Sequence, residues 1–336
     1  MAARKDTWQL DLLSAAMVCR SWYFVSISLI KTDELFDLVN FAGAQRAYPH
    51  RRRLAGLLEE SKRCGLGFHR LVHKLVIDLI SFQKEMVLAR APSSVHRLVT
   101  SCPSLQRLEI VYDAKFASMP CLIVDRLGLL TDLIGHGAID RLDLVSHDPV
   151  RRCPCCAGRG WDHLLCGLLE RLPIRTLALH QVIPSQAVFD TLSRNAELHH
   201  LVLHRSIQDM PGKPGRSTTS LTRIPRSFFD RIDTLDIYED LEDAAVEWPA
   251  LRYFSEMADR LGPLQSFTFE CTGNPAKEKE PEYAQGLLLL AEQRSKTLRR
   301  MTLRNVPGIT SKIVKLLLGH IDHLQVDSVQ YDAYIN

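Results

Sequence analysis

A six-residue pattern, apolar-x-x-apolar-x-apolar, recurs nine times along this chain of 336 residues. We call its middle apolar residue the anchor, and the nine anchors are Leu75, Leu108, Leu142, Leu177, Leu201, Leu235, Phe267, Met301 and Leu324. Successive anchors are 33, 34, 35, 24, 34, 32, 34 and 23 residues apart, a range too narrow for leucines scattered by chance. Self-similarity of this kind indicates a repeat architecture, in which each unit buries its apolar face against its neighbours.

Each repeat reads as a β-strand followed by a helix. Its last three positions alternate apolar-x-apolar, the period of a half-buried strand. Between strands, apolar residues recur three and four positions apart, as at Phe189 and Leu192 or at Ile313, Leu316 and Leu317. Alternating strands and helices favour parallel strands with right-handed crossovers. The predicted fold class is therefore α/β: an irregular solenoid with a curved parallel sheet and crossover helices.

Composition excludes several other classes of protein. Hydrophobic residues make up 46% of the chain and charged residues 24%, which are ordinary globular values. The net charge of +3 is too balanced to indicate nucleic-acid binding. We find no apolar run long enough to cross a membrane and no signal-peptide core at the start. An odd count of nine cysteines suits a reducing compartment, so we expect cytoplasmic and/or nuclear localisation.

Signatures of enzymes and of bound metals are weak or missing. The sequence contains no phosphate-binding, dinucleotide-binding, zinc-protease or serine-hydrolase motif, so we expect neither catalysis nor a cofactor. Thiolates and imidazoles are zinc ligands, and one cluster offers weak candidates: Cys153, Cys155, Cys156, His163 and Cys166. The cluster lacks two well-spaced cysteine pairs, so a loop with free thiols is the favoured interpretation and no metal site is predicted.

From about residue 66 onward, four fifths of the chain, the repeats resemble those of the leucine-rich-repeat family. They are mostly longer than the 20–29 residues usual in that family. The position after each strand, commonly asparagine or cysteine in the family, varies here from Tyr112 to Gln181 to Asn305. The resemblance thus implies an irregular solenoid of about nine units over residues 66–336, with uneven loops. Two Gly-, Pro- or charge-rich insertions, residues 207–226 and 272–283, are predicted to be exposed loops.

The first fifty residues carry a different pattern. A leucine-rich stretch from Leu12 leads into Val18-Cys19-Arg20-Ser21-Trp22-Tyr23. This run resembles the second half of an F-box, and the whole chain is similar to fungal-type F-box proteins with a leucine-rich-repeat-like C-terminal region. The Leu-Pro-x-Glu start of an F-box has no counterpart in residues 1–11, so the first half is missing or degenerate. We predict a partial, helical F-box-like hairpin over residues 1–50.

This resemblance implies a substrate-recognition adaptor of a Skp1–cullin–F-box ubiquitin ligase. The adaptor performs no bond chemistry and brings its substrate close to the ubiquitin-charged enzyme. A Skp1-like partner would contact six residues: Leu12, Leu13, Val18, Cys19, Trp22 and Tyr23. The alternative is that these residues only cap the repeat core. In that case the chain would be a protein-binding scaffold without a ligase.

The substrate would bind on the strands. The residues between and just after the apolar strand positions point away from the core because side chains alternate along a strand. Six of them form the predicted substrate face: His180, His204, Asp236, Tyr238, Glu270 and Arg304. This mixture of rings, acids and bases suits recognition of a protein better than of a nucleic acid or membrane. The plain alternative is an ordinary solvated sheet face.

Overall fold

The computed structural model describes residues 56–66, 68–70, 72–78, 102–112, 139–146, 166–167, 169–180, 186–195, 197–204, 224–240, 250–272, 280–327 and 329–332. It divides the chain into two compact units, Met1–Ile174 and Arg175–Asn336, which we call the N-terminal and C-terminal units. The predicted F-box-like hairpin over residues 1–50 lies outside the described residues.

Three parallel strands lie in the described part of the N-terminal unit. They are β1 (Lys74–Asp78), β2 (Arg107–Tyr112) and β3 (Arg141–Ser146). They pair in chain order, with anchor Leu75 beside anchor Leu108 and Leu108 beside Leu142. Leu108 and Leu142 are fully buried. Residues 56–63 are helical, and a short 3₁₀ turn covers Phe68–Arg70.

The C-terminal unit contains seven described strands and five described helices. The strands are β4 (Thr176–His180), β5 (His200–His204), β6 (Thr234–Asp240), β7 (Ser266–Thr272), β8 (Arg300–Arg304), β9 (His323–Val326) and β10 (Val329–Asp332). The helices are α1 (Gln186–Arg194), α2 (Arg226–Phe229), α3 (Ala250–Arg260), α4 (Glu280–Gln293) and α5 (Ser311–Leu318). Within the described residues, no helix is long and apolar enough to cross a bilayer.

The α/β class with parallel strands is confirmed. All nine predicted anchors lie in strands, and β4 to β9 pair in parallel in chain order. The exception is β10, which the repeat pattern did not predict. It pairs antiparallel with β9, so the last described strand reverses direction instead of adding a parallel unit.

The core of the C-terminal unit lies between the anchor side of the strands and the helices. Its densest part is aromatic: Phe254 of α3 lies edge-on to Phe269 of β7, with ring centroids 5.2 Å apart. Tyr283 of α4 joins the same cluster and is buried. Edge-to-face packing suits the charge distribution of aromatic rings and adds to the gain from burial. The predicted exposed loop over residues 272–283 is therefore wrong at its end, because α4 begins at Glu280 and buries Tyr283.

Arginine side chains tie some repeats of the C-terminal unit to the one before. Arg294 donates through Nε to the carbonyl of Ala258, near the C-terminus of α3, at 2.9 Å. Arg231 donates in the same way to the carbonyl of Asn195, just after α1. In both pairs, donor and acceptor are 36 residues apart, about one repeat. Cationic groups at helix C-termini satisfy carbonyls that lack a partner within the helix.

Gly286 permits α4 to approach α3 closely. A Cβ atom at this position would lie 2.5 Å from Cδ2 of Phe254. We expect Gly286→Ala to lower the free energy of unfolding by about 1–2 kcal/mol, because the overpacking cost exceeds the gain in helix propensity. Urea unfolding followed by circular dichroism measures the change.

The matched control is Gln285→Ala, at the exposed neighbouring position of the same helix. It should change the free energy of unfolding by less than about 0.5 kcal/mol. The double variant Gly286→Ala, Phe254→Leu should lose less free energy of unfolding than the sum of the losses in the two single variants, since the two sites touch. Equal effects at positions 285 and 286, or strict additivity with Phe254→Leu, would contradict this packing argument.

Candidate functional site

The polar face of the C-terminal unit carries an ordered column of side chains. On each of the five strands from β4 to β8, the residue three positions after the anchor lies beside its counterpart on the neighbouring strand. We call this set the outer column: His180, His204, Tyr238, Glu270 and Arg304. Five of the six residues predicted for the substrate face thus lie in one continuous row. The sixth, Asp236, belongs to the middle of β6, two residues before Tyr238.

Three rings of the outer column form a stack. The imidazoles of His180 and His204 are nearly parallel, with centroids 4.1 Å apart. The Tyr238 ring continues the stack, 4.3 Å from His204 and tilted by only 8°. Rings at this separation restrict each other's rotation, so the stack presents its polar edges in a fixed arrangement. All three side chains are partly accessible to solvent.

An ion pair continues the outer column beyond the rings. Nη1 of Arg304 lies 3.3 Å from Oε2 of Glu270 on the neighbouring strand. The arginine side chain is 47% exposed, so solvent screens the pair and its contribution to stability is small. A partner could therefore compete for either group at little cost to the fold. The column combines a rigid ring stack with an adaptable charged end.

Asp236 is held by a histidine on the preceding strand. Its Oδ2 atom lies 2.8 Å from Nε2 of His200, and Nδ1 of His200 lies 3.5 Å from the Thr176 hydroxyl. Both members of the pair are about four-fifths buried. Hydrogen bonds at both nitrogens orient the imidazole ring, which in turn orients the carboxylate. This contact fixes the position of Asp236 beside the outer column.

The middle residue of β4 and of β5, next to the outer column on the polar face, is apolar. Ala178 and Val202 lie on the polar face by alternation, yet both are buried. Small and branched side chains at these positions leave the flanking histidines as the accessible groups. A partner bound at these strands would therefore meet imidazoles, with only a small contribution from the two middle residues.

The N-terminal unit uses its polar face differently. Nζ of Lys74 lies 2.8 Å from Oε2 of Glu109, and Nε of Arg107 lies 2.5 Å from Oδ2 of Asp143. Arg141 also donates to Asp143, at 3.1 Å, and the Asp143 side chain is completely buried. Burial of a carboxylate is tolerated only where cations and hydrogen bonds compensate it, as the two guanidinium groups do here. These residues form a closed ion-pair network.

The same geometric relation governs the pairs in both units. In each case the first residue of one strand contacts the third residue of the next: Lys74 with Glu109, Arg107 with Asp143, and His200 with Asp236. Sequence reasoning missed these pairs. The sequence does carry a signal for them: a basic residue is the first residue of one repeat strand, and an acidic residue is the third residue of the next repeat strand.

Buried titratable groups cluster on the helix side of β6 and β7. Glu239 follows Leu235 and Ile237 on the apolar side of β6 and is buried beside Cys271. Burial raises the pKa of the Cys271 thiol and of the Tyr253 hydroxyl, and the nearby Glu239 raises both further. In the N-terminal unit, burial raises the pKa of Cys102 to about 12. These thiols stay protonated near neutral pH and are poor nucleophiles.

The remaining candidates can be placed only in part. Cys166 is half-buried, whereas the other candidate zinc ligands, Cys153, Cys155, Cys156 and His163, lie outside the described residues. Among the residues that the structure describes, no three His, Cys, Asp or Glu side chains are arranged to hold a metal ion. The six residues predicted to contact a Skp1-like partner, Leu12 to Tyr23, also lie outside the described part of the chain.

The two arginines on Asp143 provide a test of the ion-pair network. We expect Arg107→Met to lower the free energy of unfolding by about 3 kcal/mol, because it removes a partner from a buried carboxylate. The control is Arg175→Met, whose partner Glu197 is half exposed, and its effect should stay below about 1 kcal/mol. Chemical denaturation measures both values. Similar costs at the two sites would contradict a buried-charge origin.

Comparison with known proteins does not supply a family. No protein-family model matches the chain, and no curated protein matches it in sequence. The argument for a function therefore depends on the outer column, on its surroundings and on the sequence pattern of residues 12–23.

Proposed function

We propose that this chain is the substrate-recognition adaptor of a Skp1–cullin–F-box ubiquitin ligase and binds a protein substrate on the outer column. Residues 12–23, whose sequence resembles the second half of an F-box, would contact the Skp1 adaptor. The ligase then gains from proximity alone, because tethering raises the local concentration of the substrate near the ubiquitin-charged enzyme. No side chain of this chain needs to take part in bond chemistry.

The observation that carries the proposal is the in-register outer column. Its side chains differ in kind, with two imidazoles, a phenol, a carboxylate and a guanidinium at neighbouring strand positions. The ring stack and the His200–Asp236 contact hold several of these groups in place before a partner arrives. Preorganised polar and aromatic groups reduce the entropic cost of binding and favour specificity.

The repeat geometry supports the leucine-rich-repeat-like solenoid proposed for the C-terminal unit. Anchors lie side by side from β4 to β9, and helices return the chain between several of the strands. Repeats of about 34 residues leave room for longer helices than the 20–29-residue repeats of that family. Solenoids of this kind commonly present an extended binding surface.

A scaffold without a ligase is the second candidate function. It follows if residues 12–23 are a cap on the first repeat and not part of an F-box. In that case the outer column binds its partner in the same way, and residues such as Val18 and Trp22 serve to cover the first repeat. The two candidates share one binding face and differ only in the Skp1 contact.

Direct binding to purified Skp1 separates the two candidates. We expect the full chain to bind Skp1. The double variant Leu13→Ala, Trp22→Ala should weaken that binding by about tenfold or more, because a few large apolar side chains carry most of the binding energy at an interface. Biolayer interferometry measures the affinity. Tyr238→Ala is the control and should leave Skp1 binding unchanged. If the chain fails to bind while an authentic F-box protein does bind, the scaffold is the correct function.

Substitution in the outer column tests the binding face. Tyr238→Ala removes one end of the ring stack, and Arg304→Glu reverses the charge at the end of the column. We expect each to reduce capture of the substrate by about tenfold, while the exposed helix variant Lys312→Ala has no effect. Quantitative mass spectrometry of proteins captured by the tagged full chain measures this. If no captured protein depends on both column residues, the proposed face is wrong.

A further inference from the structure

Arg300, the first residue of β8, carries an exposed charge without a partner. It lies four residues before Arg304 on the same strand, so both side chains point to the polar face. The Arg300 side chain is exposed, and its guanidinium forms no ion pair or hydrogen bond with any residue in the described part of the chain. A guanidinium in this state keeps its planar fork of N–H donors available for an anion.

The other Asp, Glu and Arg side chains described on the polar face of β4 to β9 already have partners. The carboxylate of Asp236 lies 2.8 Å from Nε2 of His200. The carboxylate of Glu270 lies 3.3 Å from Nη1 of Arg304. A partner that brings a negative charge to Arg300 therefore forms a new ion pair without breaking an existing one.

The surroundings of Arg300 are basic. The described segments between each preceding helix and β7, β8 or β9 contain one acid, Asp322, and it pairs with Arg299 at 3.2 Å. Residues 294–300, which lead into β8, contain four cations and no acid. A local excess of positive charge attracts negatively charged groups and raises their rate of association. The electrostatic complement of this end of β8 is thus an anion.

Neutral polar side chains separate Arg300 from Arg304. The two arginines are about 13 Å apart by the rise of an extended strand, and Thr302 lies midway on the same face. Thr302 is in register with Thr268 on β7 and Gln325 on β9, and all three side chains are half-buried. Hydroxyl and amide groups both donate and accept hydrogen bonds, which suits the backbone of a peptide. A short extended segment is long enough to cover this distance.

One carboxylate suits Arg300 better than a run of negative charges. A guanidinium fork matches the two oxygens of a carboxylate, and such pairs are among the stronger hydrogen-bonded contacts in proteins. A polyanion such as a nucleic acid would also approach Asp236 and Glu270 on the same face, and these like charges would repel it. The charge pattern therefore favours a protein segment with an isolated acid.

We propose that Arg300 is a specificity-determining residue that binds one aspartate or glutamate side chain of the protein substrate. The acid belongs to an extended segment that lies along β8 from Arg300 toward Arg304 and so reaches the outer column. This assignment names the chemistry of the substrate, so it rests on the proposed substrate-binding face, but it does not depend on the Skp1 contact.

Selection of random peptides displayed on phage, with the full chain as bait, tests the preference. We expect the unmodified chain to enrich peptides that carry Asp or Glu at one fixed position of the selected motif. Arg300→Glu should enrich Lys or Arg at that position, because an acid there is now repelled. Loss of the acidic preference in Arg300→Glu without a gain of basic residues would contradict a direct contact.

The variant Tyr238→Ala separates this proposal from the proposed binding face. Selected peptides should lose binding to Tyr238→Ala if they occupy the outer column. Peptides that depend on Tyr238 but show no acidic preference, or that keep it in Arg300→Glu, overturn the role of Arg300 alone. If no selected peptide depends on Tyr238, the outer column is not the binding face, and the proposal for Arg300 fails with it.

A double-mutant cycle with one selected peptide measures the contact itself. The peptide is labelled and amidated at its C-terminus, so that only side chains carry the acid, and fluorescence anisotropy gives the dissociation constant. Arg300→Gln and replacement of the peptide's acid by its amide should each raise the dissociation constant by about tenfold. The two changes together should raise it by little more than either change alone, because both remove the same contact.

Arg299→Gln is the matched control for the cycle. Arg299 is the exposed neighbour of Arg300, but its guanidinium is already paired with Asp322. We expect Arg299→Gln to leave the dissociation constant unchanged. Equal effects at positions 299 and 300, or strict additivity between Arg300→Gln and the peptide change, would show that Arg300 acts only through the general charge of this region and would overturn the proposal.

Discussion

Each strand from β5 to β9 places its anchor beside the anchor of the strand before it, and the polar face depends on that alignment. Side chains alternate along a strand, so a slip of one residue would send every anchor to solvent and every outer-column residue into the core. The buried anchors therefore fix the position of His180, His204 and Tyr238 as firmly as their own contacts do. Ring stacking is a consequence of register: once the strands align, aromatic side chains at the same position must lie one strand spacing apart.

Polar contacts between the first residue of one strand and the third of the next use different side chains in the two units. In the N-terminal unit these positions hold permanent cations, and Arg107 and Arg141 are committed to a carboxylate that has no exposure at all. Little of that charge is left for a partner. In the C-terminal unit the same relation uses His200 and Asp236, and the charged groups beyond it, Glu270 and Arg304, keep contact with solvent. Recognition is therefore better supported on the C-terminal unit, where the polar groups are positioned but still accessible.

The repeat pattern predicts the strands well because burial of anchors is a local, periodic signal. Counting three residues from an anchor was enough to place Tyr238 and Arg304 on one face. The pattern could not reveal that Asp143 is buried, because that depends on two arginines brought together by strand pairing. Glu239 sits where alternation requires an apolar residue, and no rule based on spacing foresees a buried carboxylate there. Strand β10 was missed because Val329 lies only five residues after the anchor Leu324, far closer than the 23–35 residues that separate successive anchors.

Strand β10 departs from the repeat at a defined point. Inside the array, each apolar face is covered by the next unit. After β9 the parallel series gives way to an antiparallel pair, with Val329 beside Val326 and Tyr331 beside Leu324. Because opposite residues of an antiparallel pair point to the same side of the sheet, Val329 and Tyr331 extend the apolar side by one more strand. Burial of such a side chain contributes about 1.5–3 kcal/mol, but here both remain partly exposed, so β10 gains its place in the sheet mainly from backbone pairing with β9.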